Sequence, residues 1–304
     1  MVASHPFAPV VLKRGWRWLN RFVPSRRVGV DPLQDVRIED RYTPVSIANW
    51  KLIPSVARNL LAHRVMQPLS FGADRRLTVV IPYRDREQHL RRLLPALQSQ
   101  LVSQQVRYRI VVVEQMAGGL FNRGKLLNIG VHLAAGDSDY YCLHDADAIP
   151  EVANYLCPSQ PLRLVNKLIC EAGKQQRSEH YFSGAVAIRK EQMFAVNGFS
   201  NQYWGWGKED DDFFFRLLLA GYLCYYDLQG TFHDLPNPKH QQARRGGLAT
   251  PRHVKMNRRV RSRLLRGLMD PADDGLSTLR YEITERTTVA VDDGATCEKI
   301  SVHW

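Results

Sequence analysis

Two groups of acids in this chain stand where carboxylates could do chemistry. The first is Glu209-Asp210-Asp211-Asp212, which follows directly on Tyr203-Trp204-Gly205-Trp206-Gly207-Lys208. Acids in the first turn of a helix are favoured by its dipole, and the apolar run after them, closed by Gly221, reads as that helix. Capping needs one or two carboxylates, whereas four adjacent ones repel each other. Tryptophans beside flexible glycines make a stacking wall with close backbone approach, a surface suited to a sugar ring. An acid beside such a wall could take a proton from a bound hydroxyl. On these residues alone, capping and catalysis account for the stretch about equally well. The second group is Asp145-Ala146-Asp147, which follows Tyr140-Tyr-Cys-Leu-His144. An Asp-x-Asp that closes a strand can direct a carboxylate at a divalent ion bridging a diphosphate. Turns are rich in aspartate, so the motif alone is weak; its place before a second acid cluster adds weight.

The elements that would position these acids alternate. Residues 77–81 and 109–114 are short apolar runs that read as buried strands, and 180–188 reads as a further one. Amphipathic helical stretches run from 87 to about 103, with Pro95 as a kink, and from 122 to 135. This order predicts an α/β fold with a mainly parallel central sheet flanked by helices. Ligands of such sheets bind beyond the carboxyl ends of the strands, which places Tyr83, Arg84, Arg86 and Gln115 near a site. The run from Gly119 to Leu126 nearly spells a phosphate-binding loop. The residue that should hold magnesium is Leu126, however, so an ATPase or kinase is not expected.

The chain has 304 residues, 24% of them charged and 44% hydrophobic, which is globular composition. Its net charge of +12 directs attention to anionic partners. Five scattered cysteines without a CxxC pair indicate neither a disulfide framework nor a zinc site. No apolar run approaches the ~20 residues of a membrane span. Residues 1–28 form a basic amphipathic segment, with Leu12, Trp16, Leu19 and Val23 on one stripe and Lys13, Arg14, Arg17 and Arg21 opposite. An anionic membrane surface and packing on the chain's own domain suit it equally. Residues 29–75 read as a wrapping extension. The main domain is 76–304, with a nucleotide-binding half at 76–150 and a catalytic half at 151–304.

Five ordered motifs carry a family resemblance: 81–90 (Ile81-Pro-Tyr-Arg-Asp-Arg-Glu-Gln-His-Leu90), 121–128 (Phe121-Asn-Arg-Gly-Lys-Leu-Leu-Asn128), His144-Asp-Ala-Asp147 with Pro150, the stretch 203–212, and 275–281 (Gly275-Leu-Ser-Thr-Leu-Arg-Tyr281). Together they resemble the β-1,4-galactosyltransferase family over roughly residues 76–300. His144 and the tail from Gly275 to Val302 look most like the branch that galactosylates xylose on proteoglycan linkers. The resemblance implies a GT-A type nucleotide-sugar-binding fold, UDP-galactose as donor, manganese, and inversion at the anomeric carbon. Carried over by position, Asp147 binds manganese and Asp145 supports the nucleotide-sugar end, while Tyr83 lies beside Arg84, Arg86, Phe121 and Arg123, which hold the UDP. Tyr181 matches a donor gate, Trp206 sits across donor and acceptor, Asp210 is the base, and Glu209 and Asp211 grip the sugars, with Trp204 on the acceptor side.

The chain departs from the family pattern after Gln229. His233 is the natural second metal ligand, Gly230 stands in the place of a ligating methionine, and His240 is a further candidate. Animal members carry a membrane anchor and disulfides. This chain shows neither, so a bacterial-type cytoplasmic enzyme at the inner face of a membrane is expected. From Leu235 to Met269 there is no acid and a run of Lys and Arg. In the resembling family this region, 235–269 here, is a mobile lid. A solvated basic face is the plain reading. Nucleic-acid binding is disfavoured because the run lacks interleaved aromatics, and a lipid-linked saccharide acceptor fits the charge better. A GT-A-like protein that binds glycan or a partner without catalysis is the alternative. Asp145, Asp147, Trp206 and Asp210 argue against it, and Gly230 argues slightly for it.

Tyr181 yields a test of donor choice. A tyrosine ring beside the sugar excludes an N-acetyl group at C2 by bulk, and such exclusion is removed by cutting bulk away. Tyr181→Leu is expected to gain transfer from UDP-N-acetylgalactosamine while keeping transfer from UDP-galactose. A variant that melts normally yet refuses the N-acetylated donor contradicts the gate.

Overall fold

The computed structural model describes residues 41–44, 69–170, 175–177, 182–235, 252–290 and 296–304. The basic segment 1–28, most of 29–75, Tyr181, His240 and the first part of the basic run lie outside the described residues.

A nine-stranded sheet forms the centre. Its strands lie in the order Tyr42–Pro44, Tyr225–Asp227, Leu162–Arg163, Ala185–Arg189, Tyr140–His144, Arg76–Tyr83, Arg107–Gln115, Thr296–His303 and Glu282–Ala290. The four strands from Tyr140–His144 to Thr296–His303 run parallel, so the expected mainly parallel core is present. Ala185–Arg189 is antiparallel to Tyr140–His144 and is the later part of the run read as a strand at 180–188, residues 182–184 lying before it outside the strand. Helices α1 (Glu87–Ser103), α2 (Arg123–Ala134), α3 (Lys190–Ala195), α4 (Glu209–Leu219) and α5 (Arg252–Leu265) are the α-helices among the described residues. None of them is long and apolar enough to cross a membrane.

The central strands are apolar on both faces because both are covered. Val79, Ile81, Ile110 and Val112 pack with Leu90, Leu93, Leu97 and Leu101 of α1 on one side. Val80, Val111 and Val113 face α2 and the phenylalanines of α4 on the other. Pro95 lies inside α1 without ending it. Helix α2 sits so close to the sheet that a Cβ on Gly130 would stand 2.2 Å from Val80 Cγ1. The sheet is thus a rigid floor whose parallel strands all end on one edge.

A second sheet, not evident in the sequence, contains Gln175–Arg177, Lys167–Cys170, Thr231–Asp234 and Ala148–Val152 in that order. Asp145-Ala146-Asp147 is the corner where the chain leaves the large sheet for this small one. The corner is fixed from both sides: the Asp145 N–H donates to Gly184 O at 2.7 Å, and the Leu235 N–H donates to Asp147 O at 3.0 Å. Gly230 also has its explanation here. A Cβ at that position would lie 1.6 Å from Leu164 O, so the backbone approach demands glycine whatever the metal chemistry.

The root of α4 is held by a buried ion pair. Arg216 Nε donates to Asp212 Oδ1 at 2.6 Å, and both side chains are fully buried. Tyr203 donates to the other Asp212 oxygen at 2.9 Å, and Arg216 Nη1 donates to Asp274 O at 2.7 Å. Removing one partner strands a charge in low dielectric, so Asp212→Ala is expected to cost about 3–5 kcal/mol in chemical denaturation. A loss below about 1 kcal/mol, the range of exposed pairs, would show that the pair does not hold α4.

Candidate functional site

The four acids separate once α4 is built. Lys208 precedes the helix with a left-handed φ of 87°, and Gly205 and Gly207 have φ of 72° and 97°, so the loop turns sharply into α4. Successive positions then point in different directions. Asp212 goes to the interior with Arg216. Asp211 accepts from Lys208 Nζ at 2.8 Å and Arg261 Nη1 at 2.7 Å. Glu209 and Asp210 remain for the site. Capping and catalysis both contribute, on different residues.

Glu209 and Asp210 share one poorly solvated region. Burial pushes the Glu209 carboxyl up to about 8, the neighbouring Asp210 charge adds to this, and Arg123 opposes it. Burial and Asp211 raise Asp210 as well, against Arg123 and the Asp211 N–H, which donates to Asp210 Oδ1 at 2.9 Å. Two adjacent carboxyls in low dielectric do not ionise together easily, so the pair holds a proton above the ordinary carboxylate range. Glu209 Oε2 and Arg123 Nη1 are buried without a hydrogen-bond partner, an expensive condition that marks a place for a ligand group.

Arg123 joins this pair to the corner of the sheet. It opens α2, whose N-terminus is capped by Asn122 Oδ1 accepting the Lys125 N–H at 2.9 Å. Arg123 Nε donates to Asp145 Oδ1 at 2.6 Å, and Nη1 stands 3.9 Å from Glu209 Oε1. Burial works against the cation, but Asp145, Glu209 and Asp210 outweigh it and hold its proton above the ordinary range. Beside it, Arg86 Nη1 donates to Asp147 Oδ2 at 2.8 Å. The Arg84 guanidinium lies 5.3 Å over the Phe121 ring. Tyr83 is almost buried, and burial raises its hydroxyl. The sequence-predicted Arg84, Arg86, Phe121, Arg123 and Asp145 therefore meet along the carboxyl ends of the strands, with Glu209 and Asp210 opposite.

The metal ligands are less complete. Asp147 is a hard oxygen donor in a suitable corner, but His233 turns its Nε2 to Glu151, 3.2 Å from Oε2. Among the described residues no group of three or more His, Cys, Asp or Glu side chains could hold a metal ion. The carboxylates fit a divalent cation in chemistry, and the described donor set stops short of a finished site. His144 is buried, with Nε2 3.1 Å from the Tyr155 hydroxyl and Nδ1 3.0 Å from Asp145 O, so its part is to brace the corner.

Trp206 is 39% exposed and free to meet a ligand. Trp204 stacks obliquely on Trp304, ring centroids 6.3 Å apart. Their loop is held by residues that sequence reasoning missed. Asn257 of α5 donates to Trp204 O at 3.0 Å and to Gly207 O at 2.9 Å, and the Gly205 N–H donates to Phe121 O at 2.8 Å. Asn257 is one polar residue within a basic run, and nothing local in the sequence marks it. A cleft of about 600 Å³ opens beside Trp204, lined by Leu120, His253 and Met256 among others. Arg163 was also missed, although a charge inside the apolar run 162–165 is a signal. It is buried, burial lowers its proton affinity to about 10, Nε donates to Ser183 O at 3.1 Å, and Asp210 and Tyr226 support its charge.

The titration of Glu209 has a sign that can be checked. Its proton is held from the ordinary 4.5 up to about 8 in the folded chain, so the folded state binds more protons than the unfolded one across that window. The Glu209 contribution is therefore fully present below the lower value and is lost as pH rises toward the upper. Glu209→Gln keeps the shape without the titration, and its stability relative to wild type is expected to increase across this range. A difference between the two proteins that stays constant with pH would contradict the assignment.

Known proteins match this architecture. Residues 42–158 match the family model described as the N-terminal region of glycosyl transferase group 7, and residues 166–236 the one described as the N-terminal domain of galactosyltransferase. β-1,4-galactosyltransferase 3 of Cricetulus griseus is 42% identical over 188 residues, 59% of this chain and 47% of that protein. β-1,4-galactosyltransferase 4 of the same animal is 44% identical over 156 residues, 50% of this chain and 45% of that protein. The chain thus spans about half the length of the curated relatives it matches. The catalytic domain of Drosophila β-1,4-galactosyltransferase 7, solved with xylobiose, superposes with a TM-score of 0.62 at 27% identity, over 75% of this chain and 93% of that one. A mutant of the same fly protein, solved with manganese, UDP-Gal and xylobiose, superposes equally well. These relatives are animal proteins and lend no support to the bacterial-type expectation. On the family models, the relatives and the shared GT-A fold, the chain belongs to glycosyltransferase group 7.

Proposed function

We propose that this protein is a metal-dependent, inverting galactosyltransferase that moves galactose from UDP-galactose to a saccharide hydroxyl, with a β-1,4 linkage. The observation that carries the reading is the pairing of Asp210 and Glu209 at the start of α4, linked through Arg123 to the Asp145–Asp147 corner. Asp210 takes the proton of the acceptor hydroxyl as that oxygen attacks the anomeric carbon and the bond to UDP breaks on the opposite face. A base whose proton affinity is raised by burial suits this task better than an ordinary aspartate. Glu209 offers its carboxyl to a sugar hydroxyl.

The arginines meet the other end of the donor. Arg84 with Phe121 suits the nucleotide, and Arg86 and Arg123 suit phosphate oxygens, for which they would exchange their present carboxylate partners. Asp147 is the residue that would hold manganese, and such an ion supplies neutralisation of the departing diphosphate. The manganese and UDP-Gal in the fly relative support this reading. The xylobiose there favours a xylose-bearing acceptor, in keeping with the branch suggested by His144 and the tail from Gly275.

A UDP-release assay across nucleotide sugars and simple glycosides, a xyloside included, tests the proposal. Turnover is expected with UDP-galactose and to be abolished by EDTA or by Asp147→Ala. Asp210→Asn is expected to lower kcat by roughly 10²–10⁴-fold while UDP-galactose still binds. Full turnover in excess EDTA overturns the metal assignment. Near-normal turnover of Asp210→Asn, with loss in Glu209→Gln, moves the base by one residue.

A further inference from the structure

Helix α5 presents its two faces to different surroundings. Val254, Asn257, Val260 and Leu264 are buried, and Arg261 on the same side reaches Asp211. The opposite face carries Lys255, Arg259 and Arg263, preceded by Arg252, which also lines the cleft beside Trp204, and followed by Arg266 just beyond the helix, all exposed. Their spacing of three, four, four and three residues puts them in one row about 21 Å long at the helical rise. Among the described residues, Arg261 is the cation of this helix that forms an ion pair. An ordinary solvated helix face interleaves acids at three or four residues, which stabilises it, whereas like charges at that spacing repel. This face has no acid to answer the row, and the sequence has none from Leu235 to Met269.

We propose that the row is a docking surface for an anionic lipid membrane. Charge complementarity requires an anionic partner, and the apolar residues beside the row select a lipid surface. Leu268, past the end of α5, is 63% exposed, and Met256, between the row and the cleft beside Trp204 that it also lines, is 48% exposed. Cations in one stripe with exposed apolar side chains at its margin match the headgroup region and the acyl boundary beneath it. The described helix has no Phe, Tyr or Trp on which a nucleic-acid base could stack. Because the inner face of α5 holds the tryptophan loop through Asn257 and Asp211 through Arg261, docking would seat the catalytic loop at the surface. Galactosyl transfer would then be directed to acceptors carried there. That consequence rests on the proposed reaction; the docking itself does not.

The test is vesicle sedimentation of the full chain and of the triple variant Lys255→Glu/Arg259→Glu/Arg263→Glu. Vesicles are phosphatidylcholine alone or mixed with phosphatidylglycerol, at low and high salt. UDP release with a soluble acceptor is measured on the same samples. Wild type is expected to sediment with the mixed vesicles only and to be released by salt, and the variant to lose about 100-fold or more in affinity with soluble turnover unchanged. A triple substitution to Gln, which adds no repulsion, is expected to fall between the two and covers the case in which charge reversal disturbs folding. Equal binding of wild type and variants overturns the proposal, as does binding that ignores phosphatidylglycerol. So does preferential retention of a soluble polyanion such as RNA over the vesicles. Loss of vesicle binding with turnover intact upholds the docking surface, and absence of turnover with binding intact removes only the reaction assigned to the site.

Discussion

Arg123 donates to Asp145 at 2.6 Å and stands 3.9 Å from Glu209, and through those two contacts it joins parts of the chain more than sixty residues apart. The Asp-x-Asp corner belongs to the end of a strand, and the acid pair belongs to the start of α4. Neither would be set against the other without a cation between them. The guanidinium lies in surroundings where an unpaired charge would be costly, and three carboxyls hold it there. It also leaves one nitrogen without a hydrogen-bond partner, as Glu209 leaves one carboxyl oxygen. A polar site poised in this way is stable enough to persist and incompletely satisfied enough to take a ligand.

The rest of the structure serves to keep that arrangement from collapsing. Four carboxylates in one helical turn would oppose folding if they shared one environment. The fold separates them by giving Asp212 the buried Arg216 and Tyr203, and Asp211 the cations Lys208 and Arg261. Those neutralised acids then act as the root of α4, on which the two unneutralised ones are carried. The aromatic loop before α4 depends on Asn257, whose amide bonds to the backbone of Trp204 and Gly207 from across the site. Helix α5 therefore supports the acids and the tryptophans together.

Much of this was legible in the residues. The apolar runs at 77–81 and 109–114 are strands because hydrophobic side chains at every position require cover on both faces. The parallel core, the helix after Phe121 and the turn of Asp145–Asp147 follow from local pattern. So does the placing of Tyr83, Arg84 and Arg86 near a site, since the carboxyl ends of parallel strands share one edge, whereas Phe121, Arg123 and Asp145 were joined to them through the family resemblance. The glycine at 230, which looked like a missing metal ligand, is a matter of backbone contact with Leu164 O.

What the sequence by itself determined, then, is the alternation of elements and the chemical types gathered at one edge of the sheet, because both follow from periodicity and from bonds within a few residues. It also determined that four acids occur together, without saying how they differ. Only the tertiary structure decided that Asp211 and Asp212 are neutralised while Glu209 and Asp210 share a poorly solvated space, because Arg261 lies fifty residues from Asp211 and the burial of α4 depends on the whole sheet. The turning of His233 to Glu151, the bracing of the tryptophan loop by Asn257 and the exposure of one face of α5 were decided at the same level. Such pairings are long-range contacts, and a charge or an amide carries no local sign of the partner that folding will bring to it.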